Sequence, residues 1–228
     1  MKKALSPLYY GKKLVYTADG SITFYNMAFC EALHAKSVGA FTESLHKFVY
    51  ASNILNLVRT KDVALLDICF GAGYNLAVTI EEVVKIEPRF KLHITAIDKD
   101  ELLLSIIKGS YFLWPLKGFN VLRKLIDNKC FDDLSLDLYV MDVLHFLNVS
   151  NNLYDVIYFD PFSSKNNDSL WQPDVYRKLY QILHTGGVVV TYASSKSIRA
   201  GFQEAGFIVA TFKKLQDSFM ESSIFIKP

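Results

Sequence analysis

The chain has 228 residues, of which 51% are hydrophobic, and its formal net charge is +2. This length and composition indicate one large domain, or one domain with an extension, that buries a sizeable core. No apolar run reaches about 18 residues and no long apolar segment follows Lys2 and Lys3, so we expect neither a membrane span nor a signal peptide.

Cysteine and histidine usage favours a reduced, metal-free protein. Cys30, Cys69 and Cys130 are an odd number of cysteines, lie far apart and form no C-x-x-C pair. We therefore expect free thiols in a cytoplasmic protein. The five histidines show no metal-ligand spacing, so no metal site is predicted.

The charge is distributed unevenly along the chain. Residues 1–61 hold eight Lys/Arg and three Asp/Glu, a net charge of +5, whereas residues 62–228 hold seventeen and twenty, a net charge of −3. A basic first quarter indicates an anionic partner, although an ordinary solvated lysine surface explains it equally well. We predict an N-terminal extension over residues 1–61 and a main domain over residues 62–228.

The N-terminal extension has the pattern of a hairpin followed by helices. Tyr9–Tyr16 and Ser21–Tyr25 are rich in aromatic and β-branched residues and flank the turn signal Ala18–Gly20, which predicts a hairpin. Met27–His34 is predicted to be helical. Phe41–Leu57 has apolar residues at helical spacing, which predicts a longer amphipathic helix.

Strands and helices alternate in the rest of the chain. The pattern predicts a mostly parallel sheet that is covered on both faces and ends in an antiparallel pair, an α/β fold. The predicted strands are Val63–Ile68, His93–Ile97, Leu134–Val140, Asp155–Phe159, Val188–Tyr192, Phe207–Lys213 and Ser222–Ile226. The predicted helices are Asn75–Ile86, Asp100–Lys108, Leu116–Asp127, Val143–Leu147, Asp174–Leu183 with its end at Gly186–Gly187, and Ser195–Glu204.

A glycine-containing turn follows the first strand of this alternation. Gly71 and Gly73 allow positive φ and a close approach of the backbone to a ligand, at the start of a helix. Leu76 stands where the dinucleotide fingerprint needs its third glycine, which disfavours a nicotinamide oxidoreductase. The turn with Asp67 resembles motif I of class I S-adenosylmethionine (AdoMet) methyltransferases, although Cys69 replaces the first glycine. The resemblance implies that Asp67 faces the ammonium group of AdoMet; the simpler interpretation is a crossover whose glycines serve packing alone.

Acidic residues follow three further strands at their carboxyl ends, where ligands bind in such sheets. Asp98 is placed to accept hydrogen bonds from both ribose hydroxyls. Asp142 occupies the position where AdoMet enzymes often contact the adenine amino group. Asp160 follows the fourth strand, at the place of the acceptor, where a carboxylate can stabilise an amine as it becomes cationic and take up its proton.

Aromatic residues near Asp160 suggest an apolar acceptor pocket. Phe162, Trp171 and Tyr192 could line such a pocket or belong to the core, whereas Tyr158 is better explained as a core residue. Desolvation in an aromatic pocket would favour the neutral, reactive form of an amine.

Several segments resemble one family in particular, the methyltransferase half of the bifunctional enzyme that completes 5-methylaminomethyl-2-thiouridine in tRNA. Asp160–Trp171, which reads DPFSSKNNDSLW, resembles the family signature D-G-F-x-P-x-K-N-P-x-x-W. Asp67–Asn75 is similar to its D/E-x-x-F/T-G-x-G-x-N motif. Asp19–Glu43 resembles the D-G-S…Y…E-x-x-H-S-x-x-G-A-x-x-E run of stand-alone members, and Arg199–Phe207 resembles R-R-G-L-x-x-A-G-F. Pro161, Asn167 and Ala35 depart from the family pattern, which bears on the substrate.

The resemblance implies a class I AdoMet-dependent methyltransferase with a Rossmann-like sheet, plus an N-terminal hairpin and helical extension. The implied reaction is N-methylation of 5-aminomethyl-(2-thio)uridine at the tRNA wobble position. The implied partner is the anticodon stem-loop of tRNA, and the implied enzyme is cytoplasmic, monomeric and without flavin. Asp160 would be catalytic. The implied AdoMet-binding residues are Asp67, Phe70, Gly71, Gly73, Asn75, Asp98, Asp142, His34 and Glu43, and the implied substrate-binding residues are Phe162, Lys165, Asn166 and Trp171.

Other functions stay open at this point. A methyltransferase of another amine or base shares the same sheet, and the Asp-Pro-Phe sequence at Asp160 also resembles the motif of enzymes that methylate exocyclic base amines. A polyamine synthase that transfers an aminopropyl group shares the sheet and the N-terminal hairpin, but it usually has a G-G-G-D-G turn, which this chain lacks. A non-catalytic RNA-binding module would have no need of the four strand-end acids.

Overall fold

The N-terminal extension begins with a small antiparallel sheet. The computed structural model describes residues 12–109, 116–212 and 221–228 of the chain. Strand β1 (Lys12–Tyr16) pairs with β2 (Ile22–Asn26), and β2 pairs with the two-residue β3 (Glu31–Ala32). The predicted hairpin is confirmed over these residues, while residues 9–11 of its predicted first strand lie outside the described part.

The helix predicted at Met27–His34 is wrong. The Asn26 side chain accepts hydrogen bonds from the backbone N–H groups of Ala28 and Phe29, and Cys30 has a φ of 51°. These features form a turn that returns the chain to β3. A short segment with apolar residues at both 3.6- and 2-residue spacing does not by itself distinguish helix from strand.

The second predicted helix, Phe41–Leu57, is helical but irregular. It consists of α1 (Ala40–Ser44), a π-helical stretch at Leu45–Tyr50 and α2 (Ile54–Leu57). Asn53 interrupts it with a φ of 59°. The π-helical stretch brings Phe48 into edge contact with Tyr158 of the central sheet, with ring centroids 5.4 Å apart, and so packs the extension onto the main fold.

Asp19 joins the tip of the hairpin to the start of α1. Its carboxylate accepts hydrogen bonds from the N–H and hydroxyl of Ser21 and from the N–H of Thr42. The Ser21 hydroxyl in turn accepts a hydrogen bond from the N–H of Ala40. At Gly39, with a φ of 119°, a Cβ would lie 1.9 Å from the Asp19 carboxyl carbon. These contacts give the Asp-Gly-Ser and Gly-Ala motifs a structural role.

In the described part of the chain, eight strands form the central sheet, and helices cover both of its faces. Along the chain the elements are β4 (Val63–Ile68), α3 (Tyr74–Val83), β5 (Leu92–Asp98), α4 (Glu101–Gly109), α5 (Lys117–Asn128), β6 (Cys130–Phe131), β7 (Leu134–Val140), α6 (Val143–Val149), β8 (Tyr154–Phe159), α7 (Pro173–Gln181), β9 (Leu183–Thr191), α8 (Lys196–Glu204), β10 (Ile208–Phe212) and β11 (Ser222–Ile226). Across the sheet the order is β10-β11-β9-β8-β4-β5-β7-β6.

The five central strands, from β9 to β7, pair in parallel, and the pairs at both edges are antiparallel. The predicted α/β fold with a mostly parallel sheet and a C-terminal antiparallel pair is confirmed. Residue 213 of the predicted strand Phe207–Lys213 lies outside the described part. The chain continues from β4 to β5 and β7 on one side and then returns to β8 on the other side of β4. The carboxyl ends of β4, β5 and β8 therefore border a crevice where doubly wound sheets bind ligands.

The helix end predicted at Gly186–Gly187 is wrong, because α7 ends at Gln181 and both glycines lie within β9. Their part of the strand is irregular: Tyr154 pairs with Leu183, but Val156 pairs with Val188. Gly186 has a φ of 78°, which suits such a bulge. The glycines therefore shape a strand rather than end a helix.

The strand alternation of β4 divides the core into two layers. Val63 and Leu65 pack toward α3 and α5, whereas Leu66 and Ile68 pack toward α6, α7 and α8. The helices of the N-terminal extension belong to the first layer, so residues of both predicted segments share one hydrophobic cluster. The division into residues 1–61 and 62–228 stays a prediction.

Two contacts fix the start of α3 beneath the extension. Tyr74 is wholly buried, and its hydroxyl donates a hydrogen bond of 2.7 Å to the carbonyl of Ile22 in β2. Helix α5 crosses α3 so closely that a Cβ at Gly118 would lie 1.9 Å from the Ala77 carbonyl oxygen. Helix α3, which follows the glycine turn, is thereby held between the extension and α5.

Candidate active site

A cavity of about 700 Å³ lies where the carboxyl ends of the central strands meet the N-terminal extension. Its volume suits a nucleotide-sized ligand. One wall consists of residues that follow the strands, namely Cys69, Phe70, Gly71, Asn75, Asp98, Lys99, Asp142, Asp160, Pro161 and Phe162. The opposite wall comes from the extension, with Asn26, Phe29, Glu31, Ala32, Leu33, His34, Ala35, Lys36, Glu43 and Lys47.

Acidic side chains outnumber basic ones in the cavity lining. Three lysines lie among them, and the surplus of carboxylates favours a ligand that carries positive charge. The acids are Glu31, Glu43, Asp98, Asp100, Glu101, Asp142 and Asp160, and the lysines are Lys36, Lys47 and Lys99.

Asp98 braces the glycine turn. One of its oxygens accepts a hydrogen bond of 2.9 Å from the N–H of Gly71, and the other accepts one of 2.8 Å from the N–H of Asp100. Burial raises the pKa of the Asp98 carboxyl above its ordinary value. Each oxygen can accept a further hydrogen bond, so Asp98 can both hold the turn and bind hydroxyl groups of a ligand.

The two glycines of the turn play different parts. Gly71 has a φ of 55° and lines the cavity. Gly73 has a φ of 77° and precedes α3, and a Cβ there would approach Leu122 to 3.0 Å, so its surroundings are side chains of the core. Gly71 therefore presents its backbone to the cavity, and Gly73 permits the packing beneath it.

Asp160, the predicted catalytic residue, lies in the cavity wall at the end of β8. Its carboxylate accepts a hydrogen bond of 2.8 Å from the side-chain amide of Asn75, on the first turn of α3. Burial and, second, the charge of Glu43 raise its pKa well above the ordinary value for an aspartate. Asp160 is thus an oriented carboxyl group with an increased affinity for a proton.

Glu43 and His34 connect the extension to this wall. The Glu43 carboxylate accepts hydrogen bonds of 2.8 Å from the Lys47 ammonium and from the N–H of Ala35. Nδ1 of His34 lies 3.0 Å from the hydroxyl of Thr23. Burial lowers the pKa of the His34 imidazole, so this ring is neutral at physiological pH.

Asp142 lies at the cavity and caps α6. One of its oxygens accepts hydrogen bonds from the N–H groups of Leu144, at 2.9 Å, and His145, at 3.3 Å. N-capping is the ordinary use of an aspartate at this position. Contact with an adenine amino group stays a prediction.

The predicted substrate-binding residues separate into two groups. Phe162 lines the cavity, whereas the other three do not. Trp171 is buried, and its indole N–H donates a hydrogen bond of 2.7 Å to the Phe162 carbonyl oxygen. Asn166 donates its amide to Glu31 at 2.8 Å, and Lys165 is exposed. Direct contact of Trp171, Asn166 and Lys165 with substrate stays a prediction.

Asp67 lies in β4, on the face that packs toward α3, rather than in the cavity wall. It is 0% exposed, and neither carboxyl oxygen has a hydrogen-bond partner among the described residues. Burial and, second, the charge of Asp98 raise its pKa well above the ordinary value. Its predicted role opposite the AdoMet ammonium stays a prediction; its surroundings favour the neutral acid.

This burial makes the stability of the fold depend on pH. Because the pKa of Asp67 is higher in the folded than in the unfolded chain, the folded protein holds more protons above about pH 4, and its stability falls as pH rises toward the folded pKa. Asp67→Asn cannot ionise. We therefore expect the free energy of unfolding of Asp67→Asn to rise relative to that of the wild type as the pH increases from about 5 to about 8, measured by urea denaturation.

Asp174→Asn makes the same chemical change on an exposed side chain and serves as the control. Its stability curve should run parallel to that of the wild type. A parallel curve for Asp67→Asn as well would show that Asp67 ionises equally easily in both states, against the inference from its burial.

Several residues of the site were not predicted from the sequence. Lys47 and Phe29 were given no role, and Glu31 was noted in a motif without one. The spacing of Glu43 and Lys47, four residues apart on a helix, was the available signal for their ion pair. Tyr192, predicted to line the acceptor pocket or to belong to the core, lines the cavity. Its hydroxyl donates a hydrogen bond of 3.0 Å to the Pro161 carbonyl oxygen.

Neither a metal centre nor a membrane segment is evident in what the structure describes. No cluster of His, Cys, Asp or Glu residues suited to a metal ion occurs among residues 12–109, 116–212 and 221–228. None of the helices in these ranges is long and apolar enough to span a membrane.

Comparison with known proteins points to methyltransferases. A family model described as S-adenosyl-L-methionine-dependent methyltransferase matches residues 108–217. The crystal structure of MnmC2 from Aquifex aeolicus is similar over 97% of this chain and 72% of its own, with a TM-score of 0.82 and 27% identity. Spermidine synthase structures share the fold at lower similarity, one with a TM-score of 0.56 and 13% identity.

Relatives found by sequence include proteins longer than this one. The chain is 27% identical over 207 residues to the uncharacterized protein MJ0670 of Methanocaldococcus jannaschii, which covers 86% of this chain and 54% of that protein. It is 23% identical over 185 residues to the tRNA 5-methylaminomethyl-2-thiouridine biosynthesis bifunctional protein MnmC of Leptospira borgpetersenii, 72% of this chain and 28% of that one. The chain thus spans about half or less of these relatives. The resemblance inferred from the sequence motifs is confirmed.

Proposed function

We propose that this S-adenosylmethionine-dependent methyltransferase, which is related to MnmC2, methylates the amine of 5-aminomethyl-(2-thio)uridine at the wobble position of tRNA. The observation that carries the proposal is Asp160, a carboxyl group of raised pKa that is oriented by Asn75 in the wall of a cavity rich in acids. The name of the bifunctional relatives, tRNA 5-methylaminomethyl-2-thiouridine biosynthesis protein, supports the choice of substrate. The proposal places the enzyme in the cytoplasm with tRNA.

The cavity suits AdoMet in charge and shape. AdoMet carries a sulfonium and an ammonium group, which the surplus of carboxylates favours, and bound AdoMet would supply a methyl group on a positively charged sulfur. Asp98 would accept hydrogen bonds from its ribose hydroxyls, since each oxygen already accepts only one backbone N–H. Gly71 and Phe70 would form the surface against which it lies. Asn75, Asp142, His34 and Glu43 also line the cavity and complete the proposed set, whereas the contacts of Asp67 and Gly73 with AdoMet stay predictions from the motif.

Asp160 would serve the acceptor amine. A primary amine is mostly protonated near neutral pH and must lose that proton before its nitrogen can attack a methyl group. A carboxylate whose pKa is raised by burial takes up a proton more readily than an ordinary one. As the nitrogen forms its bond to carbon it becomes cationic, and Asp160 would stabilise this charge and accept the proton that leaves.

The acceptor side of the cavity would be built by the segment after Asp160. Pro161, Phe162 and Tyr192 line it and offer the apolar surface that a pyrimidine ring needs. Because the cavity is acidic, contacts with RNA phosphates would fall to exposed lysines, of which Lys165 is the one predicted from the motif. Pro161, in place of the family's glycine, lies in this wall and bears directly on substrate shape.

To test this proposal, the enzyme is incubated with labelled AdoMet and, separately, with each of two tRNA samples that differ only in the 5-aminomethyl group of the wobble uridine. We expect the labelled methyl group to be transferred to the modified tRNA alone. Putrescine with decarboxylated AdoMet tests the polyamine synthase alternative and should give no product, since the similarity to spermidine synthase structures, at 13% identity, is one of fold alone.

Equal labelling of both tRNA samples would contradict the proposed acceptor and favour another base or amine. Aminopropyl transfer to putrescine would contradict the reaction type. Binding of AdoMet without methyl transfer to either tRNA would support the proposed cofactor and contradict the proposed substrate.

A further inference from the structure

Glu31 joins the N-terminal sheet to the segment that follows Asp160. Its carboxylate accepts hydrogen bonds from the backbone N–H of Ser163, at 3.2 Å to each oxygen, from the Ser163 hydroxyl at 2.7 Å and from the Asn166 amide at 2.8 Å. We propose that Glu31 is a positioning residue that sets the acceptor side of the active site through this segment, residues 161–166, here called the acceptor loop. The inference rests on the proposed function, which assigns Asp160 to the acceptor.

The bonds of Glu31 are unusual in number and in range. Its partners lie 132 and 135 residues away along the chain, and three of the four bonds end on one oxygen, Oε2. All of the donors are neutral groups on the acceptor loop. Hydrogen bonds to a carboxylate are stronger than those between neutral groups, so together they hold the loop firmly.

An aromatic contact reinforces the same junction. Phe29, in the turn before β3, stacks on Phe162 with ring centroids 4.6 Å apart and planes inclined by 23°. In addition, the indole of Trp171, a core residue of the main fold, donates its hydrogen bond to the carbonyl oxygen of Phe162. The acceptor loop is therefore held both by the extension and by the core of the main fold.

The acceptor and cofactor sides of the cavity depend on different contacts. Pro161 and Phe162 directly follow Asp160 and line the cavity, so a shift of the loop changes the wall beside the proposed proton acceptor. Asp98 and Gly71 are joined by their own hydrogen bond, which does not involve Glu31. Loss of Glu31 should therefore impair use of the acceptor and leave AdoMet binding intact.

The experiment compares Glu31→Ala, Glu31→Gln and Asn166→Ala, with Asp174→Ala as an exposed acidic control on α7. All are made with Trp114→Phe, so that Trp171 is the single tryptophan. Three quantities are measured: the Kd of AdoMet, kcat/KM with tRNA that carries 5-aminomethyluridine, and the emission wavelength of Trp171. Glu31→Gln keeps the shape of the side chain and one acceptor oxygen, so it tests the contact if Glu31→Ala folds poorly.

For Glu31→Ala we expect kcat/KM to fall about 10²-fold while the Kd of AdoMet changes less than about threefold. Trp171 emission should shift to longer wavelength, because its partner at Phe162 moves. Glu31→Gln should lie between Glu31→Ala and the wild type, and Asp174→Ala should match the wild type. The double variant Glu31→Ala/Asn166→Ala should lose little more than Glu31→Ala, since both changes break the same contact.

Two results would overturn the inference. One is a Glu31→Ala variant with unchanged Trp171 emission and wild-type kcat/KM. The other is a loss of AdoMet affinity as large as the loss of kcat/KM, which would make Glu31 a general scaffold residue. If the wild type does not methylate this tRNA, the proposed function fails, while Trp171 emission and the double-variant cycle in unfolding free energy still decide whether Glu31 holds the loop.

Discussion

We expect Asp160→Asn to lower kcat for methyl transfer by about 10³-fold, within the range that a positioned proton acceptor and an opposed charge contribute. Asparagine keeps the size of the side chain, and its oxygen can still accept the hydrogen bond from Asn75. What it lacks is the negative charge and the ability to take up a proton from the amine. Kinetics with saturating AdoMet and modified tRNA, together with the Kd of AdoMet by calorimetry, measure the effect.

The matched control is Asn75→Asp, which keeps Asp160 but replaces its amide partner with a second carboxylate. Loss of the donor and the added like charge should raise the pKa of Asp160 further, so that activity requires a higher pH. Asp160→Asn should lack activity across the pH range. An Asp160→Asn enzyme with a kcat near that of the wild type would exclude Asp160 as the proton acceptor.

We expect Asp98→Ala to weaken AdoMet binding by about 10²-fold, which corresponds to about 3 kcal/mol. The change removes the proposed acceptor of the ribose hydroxyls and also leaves the N–H groups of Gly71 and Asp100 without their present partner. Because the glycine turn itself loses support, the effect should fall on the Kd of AdoMet before it falls on kcat. Calorimetric titration of the variant with AdoMet provides the measurement.

Asp98→Asn separates the two parts of this effect. An amide has one oxygen, so it can keep only one of the two backbone N–H bonds, and its affinity for AdoMet should lie between those of the wild type and Asp98→Ala. An Asp98→Ala variant that binds AdoMet as tightly as the wild type would place the ribose elsewhere in the cavity.

The fold was predictable where a strand has a clear apolar pattern. Val63–Ile68 has the predicted bounds because it is a nearly continuous apolar run at a parallel sheet, and Leu134–Val140 has them because its apolar and polar residues alternate at first, as in a half-buried strand. Met27–His34 was not predictable, since its turn depends on the Asn26 side chain rather than on hydrophobic spacing. The helix end predicted at Gly186–Gly187 was wrong for a related reason, because glycine is common both at helix ends and at strand bulges.

The site shows the same division. The positions of Asp98, Asp142 and Asp160 at the cavity follow from topology, because parallel strands bring their carboxyl ends to one edge. Asp67 differs from them because it lies within the strand Val63–Ile68, one residue before its end, and its buried side chain is on the face that packs toward α3. The contacts of Glu31 with Ser163 and Asn166 join segments more than 130 residues apart and have no local signal in the sequence.

The most direct test of the central claim is mass spectrometry of nucleosides from tRNA that carries 5-aminomethyluridine, after incubation with the enzyme and AdoMet. We expect this nucleoside alone to gain the mass of one CH₂ group, on its side-chain nitrogen, and we expect the gain to disappear with Asp160→Asn. A gain on a different nucleoside, or none while AdoMet is bound, would contradict the proposed function.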